Sequence, residues 1–342
     1  MQYVIISGKG LPRLATSPDT RDGPVKKTKA RCLFLKMAAA AHIPDTVTIT
    51  NQAEVCVART CPLISLAGLT LPAVSPLLLA QVAADVGFDA VGVNLLRVWY
   101  TASAQAGPFT QEVARLGDAL TASGLTLIHG GHLLLGALDR PSAKSVLAAM
   151  RELRAQYVVL IAAPHAPRAI IDEDFAFVAA EAADLPMLVE FAPYTGWRTL
   201  ADAMQFIDAH QSVPLRLLVD VLHLMRSESL SLWTRERDWP VGLVQVCDAP
   251  IALPTQESLQ LEARGQRLDV GEGSLPLQEI FARVPRHVPI EVEAPCLALR
   301  NLTPHARARR SLACLLPFLA EQGYRPRAAP DSPSDQSKES IR

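Results

Sequence analysis

Short runs of branched apolar residues recur through the middle of the chain, and each is followed by a stretch with helical spacing. The runs are Pro62–Leu66, Asp89–Leu95, Leu125–His129, Tyr157–Ala162, Met187–Phe191, Leu215–Asp220, Leu243–Cys247 and Val288–Glu293. Each is too uniformly apolar to face water on one side. That predicts strands buried on both faces, as in a parallel sheet. Ser75-Pro76 opens the first helix, with serine at the cap and proline in the first turn, and Gly87 stops it after Val86. Further helices are predicted over Thr110–Ser123, Ser142–Ala155, Asp172–Ala183, Thr199–His210, Ser229–Arg235, Leu277–Val284 and Pro304–Leu319. Eight strand–helix units predict an α/β chain closed as a (β/α)8 TIM barrel. A doubly wound open sheet would want a glycine-rich first loop such as GxGxxG, and Ala67-Gly68-Leu69-Thr70-Leu71 has none.

The ends read differently. Residues 1–60 have weak periodicity and a small basic run at Lys26, Lys27, Lys29 and Arg31, which predicts an irregular N-terminal extension. Met37, followed by four alanines, offers a second start of translation, and Asp19 and Asp22 count against an acid-poor transit sequence. Residues 61–322 hold the barrel, and 323–342, rich in proline, serine and charge, predict a disordered tail. The length of 342 residues suits one barrel with tails, and 49% hydrophobic residues supply its core. A net charge of −1 gives no electrostatic case for nucleic acid or a membrane surface. The apolar region from Pro62 to Leu96 is broken by Pro72, Pro76, Asp85 and Asp89, so it does not read as a membrane span. Six cysteines (Cys32, Cys56, Cys61, Cys247, Cys296, Cys314) form no CxxC pair, which argues against a zinc knuckle or a disulfide scaffold. The expectation is a cytoplasmic protein with reduced thiols and a small-molecule substrate, with homo-oligomerisation left open.

In a barrel the chemistry sits at the C-terminal ends of the strands. Those ends carry Glu190, Asp220, Gln245 with Asp248, and Glu293. A single acid such as Asp220 reads equally well as the cap of the next helix. Oxygen-bearing side chains at equivalent positions on four consecutive strands point beyond capping. Converging carboxylates repel in a low-dielectric site, and one divalent cation resolves that repulsion. Oxygen ligation suits Mn²⁺, Mg²⁺ or Co²⁺ better than a structural zinc. Glu291 competes with Glu293, since alternation puts both on one face. Glu293 is preferred because it ends the strand before Ala294-Pro295. His129 and His132 flank Gly130-Gly131, and His165 follows the fourth strand; all three read as structural or supporting. Trp99, Tyr100, Tyr194 and Trp197 fall on the mouth side, where aromatics pack a sugar ring or a lid.

The segments Leu188-Val-Glu190-Phe, Val219-Asp220-Val-Leu-His223, Gln245-Val-Cys-Asp248, Gly271-Glu-Gly273 and Val292-Glu293 occur in this order, after a first helix and second strand over Leu79–Gly92. Together they resemble the sugar phosphate isomerase/epimerase group of xylose isomerase-like barrels, over about residues 62–320. The resemblance implies one divalent metal held by Glu190, Asp220, Gln245 and Glu293. It implies that Glu190 and Glu293 also serve as acid and base, and that His223, Arg267 and Asp248 lie on the substrate side. Arg264 is an alternative to Arg267. The activity implied is isomerisation or epimerisation of a small sugar, keto-acid or polyol, by proton abstraction next to a carbonyl through a metal-stabilised enediolate.

Gln245 departs from the pattern, because most relatives carry histidine there. Val270 likewise replaces the proline of the family's Pro-Gly-x-Gly loop. Gln245 leans toward an alternative on the same scaffold, a metal-dependent dehydratase of an inosose-like or dehydroshikimate-like substrate. An abasic-site endonuclease should bring more metal-binding histidines and a basic face for DNA. A non-catalytic barrel should bind no metal tightly.

Overall fold

The computed structural model describes residues 61–324 apart from 105–107, 183 and 235–236. The expectations for residues 1–60, and for the tail from 325 onward, lie outside the described residues. Eight parallel strands close a barrel in sequence order: β1 Ile64–Ala67, β2 Ala90–Gly92, β3 Thr126–Leu135, β4 Tyr157–Ala162, β5 Met187–Glu190, β6 Leu215–Asp220, β7 Val241–Val246 and β8 Ile290–Val292. β8 pairs with β1, so no edge is left open. Around the strands run α1 Pro76–Val86, α2 Leu95–Ala104, α3 Phe109–Ser123, α4 Arg140–Glu152, α5 Arg168–Ala182, α6 Leu200–Ala209, α7 Val221–Arg226, α8 Leu230–Trp233, α9 Leu259–Gly265, α10 Leu277–Phe281 and α11 Pro304–Glu321. Among the described residues, no helix is long and apolar enough to cross a membrane.

The apolar runs become strands because alternate residues are buried on opposite faces. Ala90, Ile128, Val159, Leu188, Leu218 and Leu243, one from each of β2 to β7, point inward and form one apolar layer. Their neighbours Val91, Leu127, Val158, Val189, Leu217 and Val244 point outward into the packing with the helices. Burying each such side chain contributes roughly 1.5–3 kcal/mol. Helices α1 and α6 begin where the sequence marks them. Ser75 accepts from the Leu78 amide, and Thr199 with Asp202 forms a reciprocal capping box.

Among the elements that differ from the sequence expectation, three stand out. α2 begins at Leu95, where an aromatic-rich stretch without a strong cap reads as loop; Asn94 Oδ1 accepts from the Arg97 amide there. α9 forms within the Pro254-Thr255 to Gly265 connection. β3 does not stop at His129 but continues to Leu135 through a register shift between His129 and His132.

Candidate metal centre at the barrel mouth

One step above the inner apolar layer, the same alternation delivers polar side chains. Leu188 is followed two residues on by Glu190, Leu218 by Asp220 and Leu243 by Gln245. The register sets Asp220 opposite Gln245, Gln245 opposite Glu291 and Glu291 opposite Ser65, so these groups form one tier around the barrel.

Asp220 carries both roles that the sequence left open. Its Oδ1 accepts from the amides of Leu222 and His223, at 2.8 and 3.2 Å, and so caps α7. Its Oδ2 faces the site, 2.6 Å from Arg267 Nη1 and 3.7 Å from His223 Nε2. Glu190 Oε1 lies 3.8 Å from the same imidazole nitrogen, and Glu190 Oε2 lies 2.7 Å from His132 Nε2. One ligand atom each from Glu190, Asp220 and His223 falls within 4.8 Å of the others, all three residues being buried. That spacing suits a single divalent ion with ligands at roughly 2.0–2.3 Å.

Gln245 Nε2 donates to Glu291 Oε2 at 2.9 Å and to Glu293 Oε1 at 3.3 Å. Its Oε1 is buried without a partner. A buried acceptor left unpaired costs about 1–3 kcal/mol, and a cation at the mouth would relieve it. Glu291 is already saturated: Ser65 Oγ donates to one of its oxygens at 2.8 Å, and His129 Nε2 sits 2.9 Å from the other. Gly92 is required beneath them, since a Cβ there would run into both Glu291 and His129. Glu291 is therefore the foundation of the tier, and Glu293, just beyond β8, is the acid at the mouth.

Burial raises every carboxyl here, and the neighbours decide the net direction. For Glu190, burial is outweighed by the charge and hydrogen bond of His132, and the group stays below the usual range. For Asp220, burial is outweighed by Arg267 and His223, which bring it to about 2. Glu291 is held low against burial by His129, Gln245 and Ser65. Glu293 goes the other way. Arg267 Nη2 is 3.1 Å from its Oε2, yet burial and the negative charges of Asp220 and Glu190 prevail and raise it to about 8. His223 is pushed down, chiefly by burial, so its imidazole is neutral and able to act as a ligand.

His132 owes its place to the irregularity in β3. Gly131, at φ 103°, absorbs one extra residue relative to β4. That puts His129 and His132, three apart, both on the acids of the site. The sequence alone reads them as supports; the signal that could have placed them is the glycine pair between two histidines on one strand. Burial alone would lower His132, but Glu190 outweighs it and raises the imidazole to about 9. In metal-free protein the His132 ring should titrate near 9 by NMR, and Glu190→Gln should bring it down toward the ordinary 6.5. A folded-state value above the unfolded one means that the stabilisation is complete below about pH 6.5 and is lost as pH rises through about 9. An unshifted His132 in the variant would refute this pairing.

Arg267 and Asp248 do not stand open to a substrate. Both Asp248 oxygens accept from backbone amides, one from Ala249 and Leu275 and the other from Gly271, which makes it the anchor of the Gly271–Gly273 loop. Arg267 is 1% exposed and bridges Asp220 and Glu293. Tyr194 joins the site by bringing its hydroxyl 3.3 Å from His223 Nε2, whereas Trp197 packs into the core beside Phe206. Glu190, Asp220, His223 and the unpaired Gln245 oxygen thus fit a divalent cation. An imidazole in the set admits Zn²⁺ beside the oxygen-preferring metals.

A family model described as xylose isomerase-like TIM barrel matches residues 80–318. No curated protein matches the sequence significantly. Among solved structures, the IolI protein with a bound zinc atom superimposes with a TM-score of 0.62 at 12% identity, over 76% of this chain and 99% of that one. The probable 3-DHS dehydratase AsbF from Bacillus anthracis, involved in petrobactin synthesis, gives 0.55 at 13% identity, over 74% and 98%. Endonuclease IV from Thermus thermophilus gives 0.52 at 16% identity, over 76% and 100%. At these identities the likeness is one of fold.

Proposed function

This chain belongs to the xylose isomerase-like TIM barrel family, and from that premise we propose that it is a divalent-metal-dependent isomerase or epimerase of a small sugar, keto-acid or polyol. The observation that carries this reading is the convergence of Glu190, Asp220 and His223 at the barrel mouth, with Gln245, whose oxygen has no partner, in register with Asp220 on the next strand. These four groups would hold the cation. When bound, it supplies the positive charge that makes the C–H next to a substrate carbonyl acidic.

The chain's own residues supply the proton path. Glu190, ionised and steadied by His132, takes the proton. Glu293, whose carboxyl burial and the charges of Asp220 and Glu190 raise to about 8, returns one: to the opposite face of the same carbon in an epimerisation, or to the former carbonyl carbon in an isomerisation, where the hydroxyl proton passes to the old carbonyl oxygen. The two then reset through solvent at the mouth. Tyr194 and His223 wall one side of the reacting centre.

The raised Glu293 carboxyl also favours a second reading, a hydro-lyase. The first step is the same, and Glu293 then gives its proton to a departing hydroxyl instead of to carbon. The test is metal analysis of protein purified without chelator, followed by incubation with ketoses, inososes and dehydroshikimate in D₂O. About one divalent ion per chain is expected. An isomer carrying deuterium next to the carbonyl supports the first reading, and an unsaturated product formed with loss of water supports the second. No metal bound, even after adding Mn²⁺, Mg²⁺, Co²⁺ or Zn²⁺, overturns both.

A further inference from the structure

Given a divalent cation among Glu190, Asp220 and His223, as read above, we propose that Arg267 is its internal competitor: the guanidinium holds Asp220, one of the cation's ligands, when the cation is absent and must release it when the cation binds. Asp220 has one oxygen to offer, since Oδ1 is committed to the amides of Leu222 and His223. That remaining oxygen, Oδ2, is the one Arg267 Nη1 holds at 2.6 Å. Arg267 Nη2 lies 3.1 Å from Glu293 Oε2, and Gln245 occupies Glu293 Oε1. One guanidinium thus spans two of the four groups that the strand ends deliver.

The arginine is held from behind. Its Nε donates to the Ala263 carbonyl at 2.8 Å, and Nη1 also reaches the Glu293 carbonyl at 3.2 Å. The helix that carries Ala263, α9, is fixed in turn. Glu262 takes two hydrogen bonds from Arg226, at 2.8 and 2.6 Å, and Arg226 also donates to the Pro250 carbonyl. The exchange is therefore made by the guanidinium head, which moves off Asp220 while α9 stays in place. A full positive charge a few ångströms from a dication opposes its binding. A tenfold change in Kd needs only about 1.4 kcal/mol, which charge repulsion at this range readily exceeds in a buried site.

The test is Mn²⁺ affinity, measured by calorimetry on chelator-stripped full-length protein. Arg267→Met should bind Mn²⁺ about tenfold or more tightly than wild type, because the competing charge is gone and Asp220 Oδ2 is released. Arg267→Lys, which keeps the charge but cannot bridge, should stay nearer wild type than the methionine variant does. In wild type itself, the Arg267 side-chain ¹⁵N–¹H resonances should shift as Mg²⁺ is titrated in, and this decides the matter if Arg267→Met fails to fold. Equal or weaker binding by folded Arg267→Met, or resonances unmoved at saturating Mg²⁺, overturns the proposal while leaving the metal-dependent reading intact. Binding by Arg267→Met alone upholds the proposal and overturns metal dependence in the native protein. Binding by neither overturns both.

Discussion

Asp220→Asn should abolish stoichiometric metal binding and lower the melting temperature by on the order of 10 °C. The asparagine keeps the oxygen that caps α7, so the helix start survives. What is lost is the charge at Oδ2, which is 0% exposed and 2.6 Å from Arg267. An amide nitrogen in that place would face the guanidinium donor to donor. Removing one partner of a buried ion pair costs about 3–5 kcal/mol, because the other charge is left without compensation. At about 2–4 °C per kcal/mol for a domain of this size, that gives the stated drop. Differential scanning calorimetry reads the stability and plasma mass spectrometry reads the metal. A variant with wild-type melting and a full complement of metal would refute the central place given to Asp220.

Glu293→Gln should behave in the opposite way, with metal retained and turnover reduced by roughly 10²–10⁴-fold, the range for losing a general acid or base. At neutral pH the Glu293 carboxyl is mostly protonated, being raised to about 8, so a neutral amide changes little in charge. Glutamine can still accept from Arg267 through its one carbonyl oxygen, its amide nitrogen then lying toward Gln245. It cannot transfer a proton. Metal analysis beside steady-state kinetics on the substrate found by the D₂O screen separates the two effects. Loss of metal instead of turnover would move Glu293 into the ligand set, as the resemblance of the sequence implies.

The strand frame is legible because burial on both faces leaves a plain signature. Tyr157–Ala162 and Leu215–Asp220 are strands with the limits that the apolar runs predict. Glu190 and Asp220 stand out for the same reason, as acids ending such runs. Arg267 is marked by its place before Gly271-Glu-Gly273, but its bridging of Asp220 and Glu293, 47 and 26 residues away, comes only from the closure of the barrel. His223 reads from sequence as a substrate contact. Its one-turn offset from Asp220, which brings the imidazole back beside that carboxylate, depends on Asp220 being strand end and helix cap at once. His132 is obscured because two glycines after an apolar run read as its end, whereas here they let the strand continue. Which carboxyl is protonated lies beyond the sequence, because it depends on the sum of burial and several charges rather than on any one residue.

The extra residue in β3 makes part of this site a matter of counting. His129 pairs with Tyr157 and His132 with Val159, three steps on one strand against two on the next. Deleting Gly130 or Gly131 would leave the two histidines two residues apart on a regular strand, where both still face the acids, so the three-residue spacing works only together with the irregularity. Among homologous chains, then, the length of the segment between these two histidines carries as much information about the site as their identities. A relative with the histidines two apart on a regular strand presents the same pair, whereas one that keeps the three-residue spacing without the glycine-borne irregularity turns one of them away.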